Sequence, residues 1–267
     1  MHAVRIVTGD DVDQQRVVRR LASALVTAGN VAIIEASGRV VARTDGSPSV
    51  TTVDMASDDR VEFDLPYHDT SDLLDTLCDL GFDYVLVGDG DDIDLPTVVV
   101  DQHLDPTDAL LSVGDVDDLQ VNALHDALEE VEPIETLSSL VERIQAHPDS
   151  PKAGAIATFT GRVRVEHLEG ERTTHLEYEK YEGVADAELA AIRRELTARD
   201  GVYEVLLHHR TGIVEAEDDA VYVVVLAGHR PEAFRAVEDG IDLLKERVPI
   251  FKKEVTESGD YWAHDRP

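Results

Sequence analysis

The sequence predicts an α/β protein with two domains. Its 267 residues exceed the roughly 100–150 residues typical of one domain, and hydrophobic residues make up 43% of them, enough for two packed cores. In the first half, short apolar runs alternate with segments of helical periodicity, which is typical of a mainly parallel sheet. The second half differs in having longer strands and a cluster of lysines.

The N-terminal half contains the elements of such a sheet in order. The apolar run Ala3–Val7 predicts a strand. Asp13–Gly29 predicts a helix, because its apolar residues recur at helical spacing and Gly29 can end it. Further strands are expected at Val31–Glu35, Tyr84–Val87 and Thr97–Val100, with a helix at Ser71–Leu80.

The two halves meet at a boundary near Val131–Thr136. From residue 114 to residue 135 the chain is acidic, and its periodicity fades after one helical segment, Val121–Val131. A helix follows at Thr136–Ala146, and the turn-rich run His147–Pro151 stops it. The predicted organisation is a first domain at 1–130, a linker with a helix at 131–150 and a second domain at 151–267.

The second half predicts strands combined with two long helices. A strand at Ala153–Val163 is interrupted by Gly161, and a polar loop follows at 166–172. The helix at Pro231–Arg247 carries proline in its first turn, where helices tolerate it, and Pro249 ends it. The other elements are strands at His175–Tyr181, Tyr203–His209, Ala220–Leu226 and Phe251–Val255, and a helix at Ala185–Arg199.

Charge is the strongest feature of the composition. Fifty-six acidic residues against 24 basic ones give a net charge of −32. A surface rich in aspartate and poor in lysine is typical of halophilic proteins, in which high salt screens the self-repulsion. The same charge argues against nonspecific binding of nucleic acid, which needs a basic surface.

Nothing in the sequence predicts membrane insertion or export. No stretch approaches the roughly 18 continuous apolar residues of a membrane-spanning helix. The N-terminus lacks the basic segment and apolar run of a signal peptide. The one cysteine, Cys78, has no partner for an internal disulfide, so a cytoplasmic location is expected.

Three of the five lysines, Lys245, Lys252 and Lys253, lie within nine residues. The chain otherwise prefers arginine, and lysine, unlike arginine, can act as an acid, a base or a nucleophile. This pattern favours a chemical role for the segment. The alternative is a set of exposed ion pairs with Glu246 and Glu254.

Two further segments suit an anionic ligand. His229 and Arg230 stand where a valine-rich strand gives way to a helix, and helix N-termini attract anions. Arg162 and Arg164 end another strand on one face, with Val163 between them. Each segment is also compatible with a plain surface position, a helix-start pair in the first case and a strand end in the second.

Together, six ordered motifs resemble the large, catalytic subunit of molybdopterin synthase over roughly Ala153–Trp262. The most specific is Lys-x-x-x-Pro-x-x-Lys-Lys-Glu, which contains the three clustered lysines. The others are Phe159–Arg164, Leu176–Tyr181, His209–Gly212, Gly228–Arg230 and Gly259–Trp262. Phe251 replaces a tryptophan that is frequent in the family, and Val165 replaces a polar residue.

The resemblance implies an α/β hammerhead fold with an antiparallel sheet and a sulfurtransferase activity. The family's enzyme converts cyclic pyranopterin monophosphate into molybdopterin by installing two sulfurs as a dithiolene. The sulfur arrives as a thiocarboxylate on the C-terminal Gly-Gly of a small ubiquitin-like carrier subunit, whose tail enters a pocket of the large subunit. Large subunits form a homodimer with one carrier at each end, which makes a heterotetramer.

The resemblance also assigns roles to residues. Lys245 and Lys252 match the family's essential pair. Lys245 is expected nearest to the thiocarboxylate and the substrate carbon, as an oxyanion stabiliser or proton shuttle. Lys252 is expected to polarise the substrate or to help open its cyclic phosphate. Substrate contacts are expected from Arg162, Val163, Arg164, His229, Arg230, Lys253 and Glu254.

No metal or other cofactor is expected. The sequence has no cluster of cysteines, and the adjacent His208 and His209 point to opposite faces of a predicted strand. A weak alternative is cation binding by the acidic loop Gly88–Asp92.

The N-terminal half faintly resembles the P-loop GTP-binding adaptor of molybdenum-cofactor guanylation, which implies a three-layer α/β domain. A P-loop requires G-x-x-x-x-G-K-[ST], whose amides and lysine hold phosphates. Here Thr8–Gln15 has neither the second glycine nor the lysine, and its three aspartates repel phosphate. We therefore expect a degenerate domain without nucleotide binding that serves docking or stability.

Two other functions compete with sulfur transfer. A non-catalytic scaffold would bind the ubiquitin-like protein and pass on cofactor intermediates, but a binding surface alone does not require both Lys245 and Lys252. A GTP-dependent adaptor would depend on the N-terminal half, and the missing P-loop lysine argues against it.

Overall fold

The computed structural model contains two compact units, Met1–Thr136 and Leu137–Pro267. Each combines helices with sheets around its own hydrophobic core, so the α/β class predicted from the sequence is confirmed. The described residues are 1–9, 11–34, 40–43, 60–63, 70–88, 95–101, 103, 109–129, 131–165, 172–181, 183–257 and 259–262. Among them, no helix is both long and apolar enough to cross a membrane.

A central sheet organises the N-terminal unit. Its elements in chain order are β1 (His2–Thr8), α1 (Gln14–Leu25), β2 (Val31–Ile34), β3 (Val40–Arg43), β4 (Arg60–Phe63), α2 (Thr70–Asp79), β5 (Tyr84–Val87), β6 (Thr97–Val100), β7 (Leu111–Val113), a short 3₁₀ helix (Val116–Asp118) and α3 (Val121–Glu129). The described strands are ordered β4-β3-β2-β5-β1-β6-β7. Strand β3 pairs in antiparallel fashion with both β2 and β4, and the other four described pairings are parallel, so this sheet is mainly parallel, as predicted.

Helices cover both faces of this sheet. Strands β2 and β5 are buried along their whole length, because parallel strands between two helical layers have no solvent-exposed face. On one face, α1 and α3 contribute Val17, Leu21 and Leu124 to the core. On the other face, α2 contributes Leu73 and Leu77. Each such side chain stabilises the unit by about 1.5–3 kcal/mol through burial.

Helix α1 is shorter than its periodicity predicts. The Asp13 carboxylate caps it by accepting the N–H of Arg16 at 3.2 Å, and the helix ends at Leu25 instead of continuing to Gly29. The sequence does not predict β3, β4 or β7, because strands of three or four residues carry too little periodicity. Positions 89–92 of the acidic loop and positions 166–171 of the polar loop lie outside the described residues.

The described part of the C-terminal unit contains two antiparallel sheets together with helices. Its elements are α4 (Leu137–Gln145), a 3₁₀ helix (Ser150–Lys152), β8 (Ala155–Arg162), β9 (Thr173–Lys180), α5 (Val184–Thr197), β10 (Val202–His209), β11 (Gly212–Glu215), β12 (Asp219–Ala227), α6 (Arg230–Arg247), β13 (Ile250–Thr256) and β14 (Gly259–Trp262). One sheet has the order β10-β12-β8 and the other β11-β9-β13-β14. The antiparallel pairing agrees with the expectation from the family resemblance.

Strand β12 is the centre of the three-stranded sheet. It is buried from Ala220 to Ala227, with β8 and β10 as its neighbours. Helices α5 and α6 pack on one face of this sheet and α4 on the other. A Cβ added to Gly240 of α6 would lie 3.0 Å from Val223 Cγ1. The glycine therefore lets α6 approach the middle of β12 closely.

Strands β11 and β14 are absent from the sequence prediction. Gly212 begins β11 with φ +76°, a left-handed conformation that favours glycine, and this conformation turns the chain out of β10. The sequence predicts β13 as the last strand, but β14 pairs with it in antiparallel fashion. Both missed strands have only four residues, which is too short for a reliable alternation pattern.

A buried carboxylate ties α5 to β10. Glu204, 8% exposed, accepts hydrogen bonds from Arg193 Nε at 2.9 Å and Nη2 at 2.5 Å, and another from Val205 N at 2.8 Å. Burial opposes ionisation of Glu204, but the bonds from Arg193 and Val205 outweigh it and hold the pKa of this carboxyl below its usual value. The charged pair therefore fixes α5 against the sheet.

His208 is a neutral histidine built into β10. Its ring stacks on that of Tyr222 in β12, with centroids 6.2 Å apart and an angle of 14° between the planes. Burial, followed by the positive charge of Arg210, lowers the pKa of His208 to about 3. His208 is thus uncharged in the folded state at any pH near neutrality.

We expect acid to destabilise the parent protein more than a His208→Phe variant. Between pH 6.5 and about 3, the unfolded chain binds a proton at this histidine that the folded chain does not. The free energy of unfolding should therefore fall with falling pH, by up to about 1.4 kcal/mol per pH unit from this residue. Denaturant titrations from about pH 7 to about pH 5 measure the effect. A difference between the two proteins that does not change with pH would contradict it.

Candidate functional site

The pairing of β8 with β12 defines two ends of the C-terminal unit. Arg162 pairs with Asp219 at one end of this ladder, and Ala155 pairs with Ala227 at the other. The seven residue-to-residue steps of β8 from Ala155 to Arg162 span about 23 Å. We call these the Arg162 end and the His229 end, because His229 follows β12 directly.

The Arg162 end carries two arginines around a buried valine. Arg162 Nε lies 3.3 Å from Asp219 Oδ1, and the guanidinium also donates to a backbone carbonyl of the turn before β12. Arg164 is exposed. Val163 is 2% exposed, and both its N–H and its C=O bond that same turn. Because the backbone N–H and C=O of Val163 are both hydrogen-bonded within the chain, Val163 contributes packing.

His229 and Arg230 lie at the opposite end. His229 is the N-cap residue of α6, and its side chain makes no capping hydrogen bond. Both side chains are exposed. The first-turn N–H groups and the dipole of α6 favour an anion here. Within one chain, this pair does not lie beside Arg162 and Arg164. The two arginines lie at the C-terminal end of β8, whereas His229 and Arg230 follow the C-terminal end of β12, and these two strands run in opposite directions.

Lys245 lies towards the Arg162 end. Helix α6 starts just beyond Ala227, and Gly240 contacts Val223 in the middle of β12. Lys245 is in the last turn of α6, so it lies further along β12 in the direction of Asp219. Its side chain is exposed beside the buried Leu244.

The three residues Lys252, Lys253 and Glu254 alternate between the faces of β13. Lys252 and Glu254 share the face on which β9 presents Tyr178 and Leu176. Lys253 lies on the other face. The sequence predicts that Lys253 and Glu254 line one site, but the structure places them on opposite faces, because successive side chains of a strand point in opposite directions.

Lys253 is held by two carboxylates. Its Nζ lies 3.0 Å from Asp260 Oδ2 and 3.3 Å from Glu177 Oε2. The hydrogen bond to Asp260, followed by that to Glu177, raises the pKa of Lys253. These ion pairs join β13 to both of its neighbours, β14 and β9, so Lys253 stabilises the four-stranded sheet.

Lys252 reaches the same end of the unit as Arg162. Tyr178, directly opposite it in β9, contacts the ring of His209 in an edge arrangement with centroids 4.6 Å apart. His209 in turn pairs with Val221, near the start of β12. The predicted cations gathered at this end are Arg162, Arg164, Lys245 and Lys252.

Glu254 is a buried carboxylate on the same face of β13 as Lys252. It is 6% exposed and accepts a hydrogen bond from Thr173 Oγ1 at 2.5 Å. Burial, together with the charge of Glu254, raises the pKa of Tyr178 to about 12. The phenol of Tyr178 therefore stays protonated. Sequence reasoning gave no role to Tyr178 or His209, because their positions beside Lys252 depend on strand register and on the meeting of two sheets.

The two adjacent histidines point in opposite directions, as predicted. His208 stacks on Tyr222 of the three-stranded sheet, and His209 contacts Tyr178 of the four-stranded sheet. Within the described ranges, no group of three or more His, Cys, Asp and Glu side chains is arranged to hold a metal ion.

Known proteins resemble this chain over the C-terminal unit and beyond it. The family model described as MoaE protein matches residues 130–247. A probable molybdopterin synthase from Haloferax volcanii is 50% identical over 201 residues, which are 74% of this chain and 77% of the relative. That alignment is longer than the C-terminal unit, so the similarity extends into the N-terminal unit.

Other relatives match about half of the chain. The molybdopterin synthase catalytic subunit of Pyrococcus abyssi is 39% identical over 122 residues, which are 46% of this chain and 82% of the relative. The crystal structure of molybdopterin synthase from Staphylococcus aureus covers 51% of this chain and 94% of its own at 37% identity, with a TM-score of 0.44. The identity and coverage of the Haloferax volcanii relative establish that the chain belongs to the MoaE family of molybdopterin synthase catalytic subunits.

Proposed function

We propose that this chain transfers sulfur from the C-terminal thiocarboxylate of a small ubiquitin-like carrier subunit to cyclic pyranopterin monophosphate, forming the molybdopterin dithiolene. The observation that carries the proposal is that Lys245 of α6 and Lys252 of β13 lie at the Arg162 end of the C-terminal unit. A scaffold that only bound the carrier would not require two lysines at the same end of the unit as two arginines.

Lys245 and Lys252 supply different chemistry in this proposal. Lys245 is exposed at the end of α6, so an incoming carrier tail can reach its ammonium group. There it stabilises the oxyanion that develops on the acyl carbon of the thiocarboxylate, or passes a proton to it. Lys252 is partly buried on β13, where it polarises the substrate or assists opening of the cyclic phosphate.

The substrate phosphate requires cations from more than one chain. About 23 Å of strand separates the Arg162 end from the His229 end, which is too far for the side chains of the two pairs to share one phosphate. We infer that a homodimer completes the site, with the His229 end of one copy meeting the Arg162 end of the other. Arg162 would exchange its exposed ion pair with Asp219 for the phosphate, and such pairs contribute only about 0–1 kcal/mol.

Because the protein is acidic overall, an anionic ligand depends on these local cations for its attraction to the site. A net charge of −32 repels both the thiocarboxylate and the phosphate at long range. Salt shortens the range of that repulsion to about 10 Å or less, so a ligand close to the cations responds mainly to them. The proposed heterotetramer, two copies of this chain with two carriers, follows from the family resemblance.

For the N-terminal unit we propose a P-loop-like, three-layer domain that has lost nucleotide binding. In the loop after β1, Asp13 caps α1, and a Cβ on Gly9 would collide with the Asp101 carboxylate at the end of β6. Carboxylates thus stand at the ends of parallel strands, where a nucleotide-binding domain of this kind holds phosphate. The remaining role is docking or stability.

The finer architecture and the limits of the domains belong to the same proposal. The C-terminal unit is assigned the hammerhead arrangement of the family on the basis of its two antiparallel sheets. The first domain is assigned to 1–130, the linker and helix to 131–150 and the catalytic domain to 151–267. Helix α4 of the linker segment packs on β10 and β12 of the catalytic domain.

Replacing either lysine should abolish most of the activity. Lys245→Ala and Lys252→Ala are each expected to lower the rate of molybdopterin formation by at least about 100-fold, because each removes a charge that acts in the transition state. The assay follows conversion of cyclic pyranopterin monophosphate with thiocarboxylated carrier in high salt.

Glu246→Ala, an exposed neighbour of Lys245, is the control and should retain the parental rate. Full activity of either lysine variant would remove that lysine from the mechanism. A parent that binds carrier without converting substrate would favour the scaffold.

The N-terminal unit should not bind GTP. Calorimetry with GTP and magnesium is expected to give no heat, and the melting temperature should not change, because Asp101 and Asp13 occupy the loop region. A ligand present at 100 times its dissociation constant would stabilise the fold by about 2.7 kcal/mol, which a melting curve detects. Such a shift would revive the adaptor hypothesis.

Stability should depend strongly on salt. Because 56 acidic residues oppose 24 basic ones, removing salt lengthens the range of self-repulsion and is expected to lower the melting temperature. Melting curves recorded from molar to millimolar potassium chloride measure this. Identical curves would argue against halophilic adaptation.

A further inference from the structure

Lys252 faces an aromatic side chain across the sheet, whereas its neighbour Lys253 faces carboxylates. The register of β13 with β9 places Tyr178 directly opposite Lys252 on the same face. Side chains in such a pair have Cβ atoms about 4.5–5.5 Å apart, so the lysine stem runs beside the phenol ring. Glu254 lies two residues further along the same face of β13. The face around Lys252 therefore presents an aromatic ring and a buried carboxylate, alongside Leu176.

Tyr178 is itself held in place from the other sheet. The ring of His209, at the end of β10, meets it edge-on, with centroids 4.6 Å apart and an angle of 71° between the planes. This is a favourable geometry for two aromatic rings. The contact joins the four-stranded sheet to the three-stranded one, so the orientation of Tyr178 is tied to the rigid sheet built around β12.

His209 has a defined orientation and charge. Its Nδ1 lies 2.7 Å from the carbonyl oxygen of Arg210, which can only accept, so Nδ1 carries the proton. Burial lowers the pKa of His209 and the charge of Lys180 adds to this, although the bond to Arg210 opposes both. The backbone carbonyl of Arg210 thus fixes the orientation of the His209 ring, and the lowered pKa of His209 favours its neutral form.

We propose that Tyr178 and His209 form a positioning pair for Lys252. His209 fixes the phenol ring, and the ring confines the flexible lysine stem so that the ammonium group stays where the substrate needs it. This inference rests on the catalytic role proposed for Lys252. Neither ring touches the reacting atoms, and both act through the lysine.

The test is a double-mutant cycle in the molybdopterin assay. Tyr178→Leu removes the ring and is expected to lower kcat by about 10- to 100-fold with little change in KM, since a misplaced catalytic group costs rate more than substrate binding. Tyr178→Phe retains the ring and should restore most of the rate. In the Lys252→Ala background, measured under single-turnover conditions, Tyr178→Leu should cause no further loss, because there is no lysine left to position.

Glu179→Gln, on the opposite and exposed face of β9, is the matched control and should leave kcat unchanged. Melting curves of every variant report folding. If Tyr178→Leu does not fold, His209→Gln replaces it in the same cycle and should show the same dependence on Lys252.

Additive losses in the cycle, or a parental kcat in Tyr178→Leu, would overturn the positioning pair while leaving the role of Lys252 intact. A Lys252→Ala variant with full activity would instead overturn the proposed role of the lysine, and the positioning pair with it.

Discussion

Antiparallel pairing around β12 is the constraint on which the C-terminal unit depends. Strands β8 and β10 are both antiparallel to β12. The C-terminal end of β12 therefore lies at one end of the sheet, and the C-terminal ends of β8 and β10 lie at the other. This geometry sends Arg162 and Arg164 one way and His229 and Arg230 the other. Helix α6 then returns along β12 and delivers Lys245 back to the arginines. The arrangement of charges is therefore a consequence of strand direction.

Apolar packing supplies the rigidity that these exposed cations lack. Strand β12 is buried from Ala220 to Ala227, and α6 sits close to it because Gly240 has no side chain. The hydrogen-bonded pair of Glu204 and Arg193 fixes α5 on the same face. Long basic side chains at the ends of such elements can move to a ligand while their backbones stay fixed. Binding then requires little rearrangement of the scaffold.

Periodicity and local chemistry predicted most of this fold. The main strands and helices of both units appear within a few residues of their predicted positions, because apolar spacing and the proline at 231 are local signals. The short strands β3, β4, β7, β11 and β14 depend on partners distant in sequence, and no local pattern specifies them.

Prediction of the candidate site followed the same rule. The motifs supplied the candidate residues. The separation of His229 from Arg162, the opposite faces of Lys253 and Glu254, and the contact of Tyr178 with His209 follow only from strand direction and register.

The separation of the cations at two ends has a consequence for inheritance. In a homodimer whose sites draw on both copies, a copy altered at Lys245 still lends an intact His229 and Arg230 to its neighbour. Pairing it with a copy altered at His229 produces one site with both defects and one site with none. Two inactive alleles would therefore restore part of the activity when expressed together, a form of interallelic complementation that a site contained within one chain does not permit.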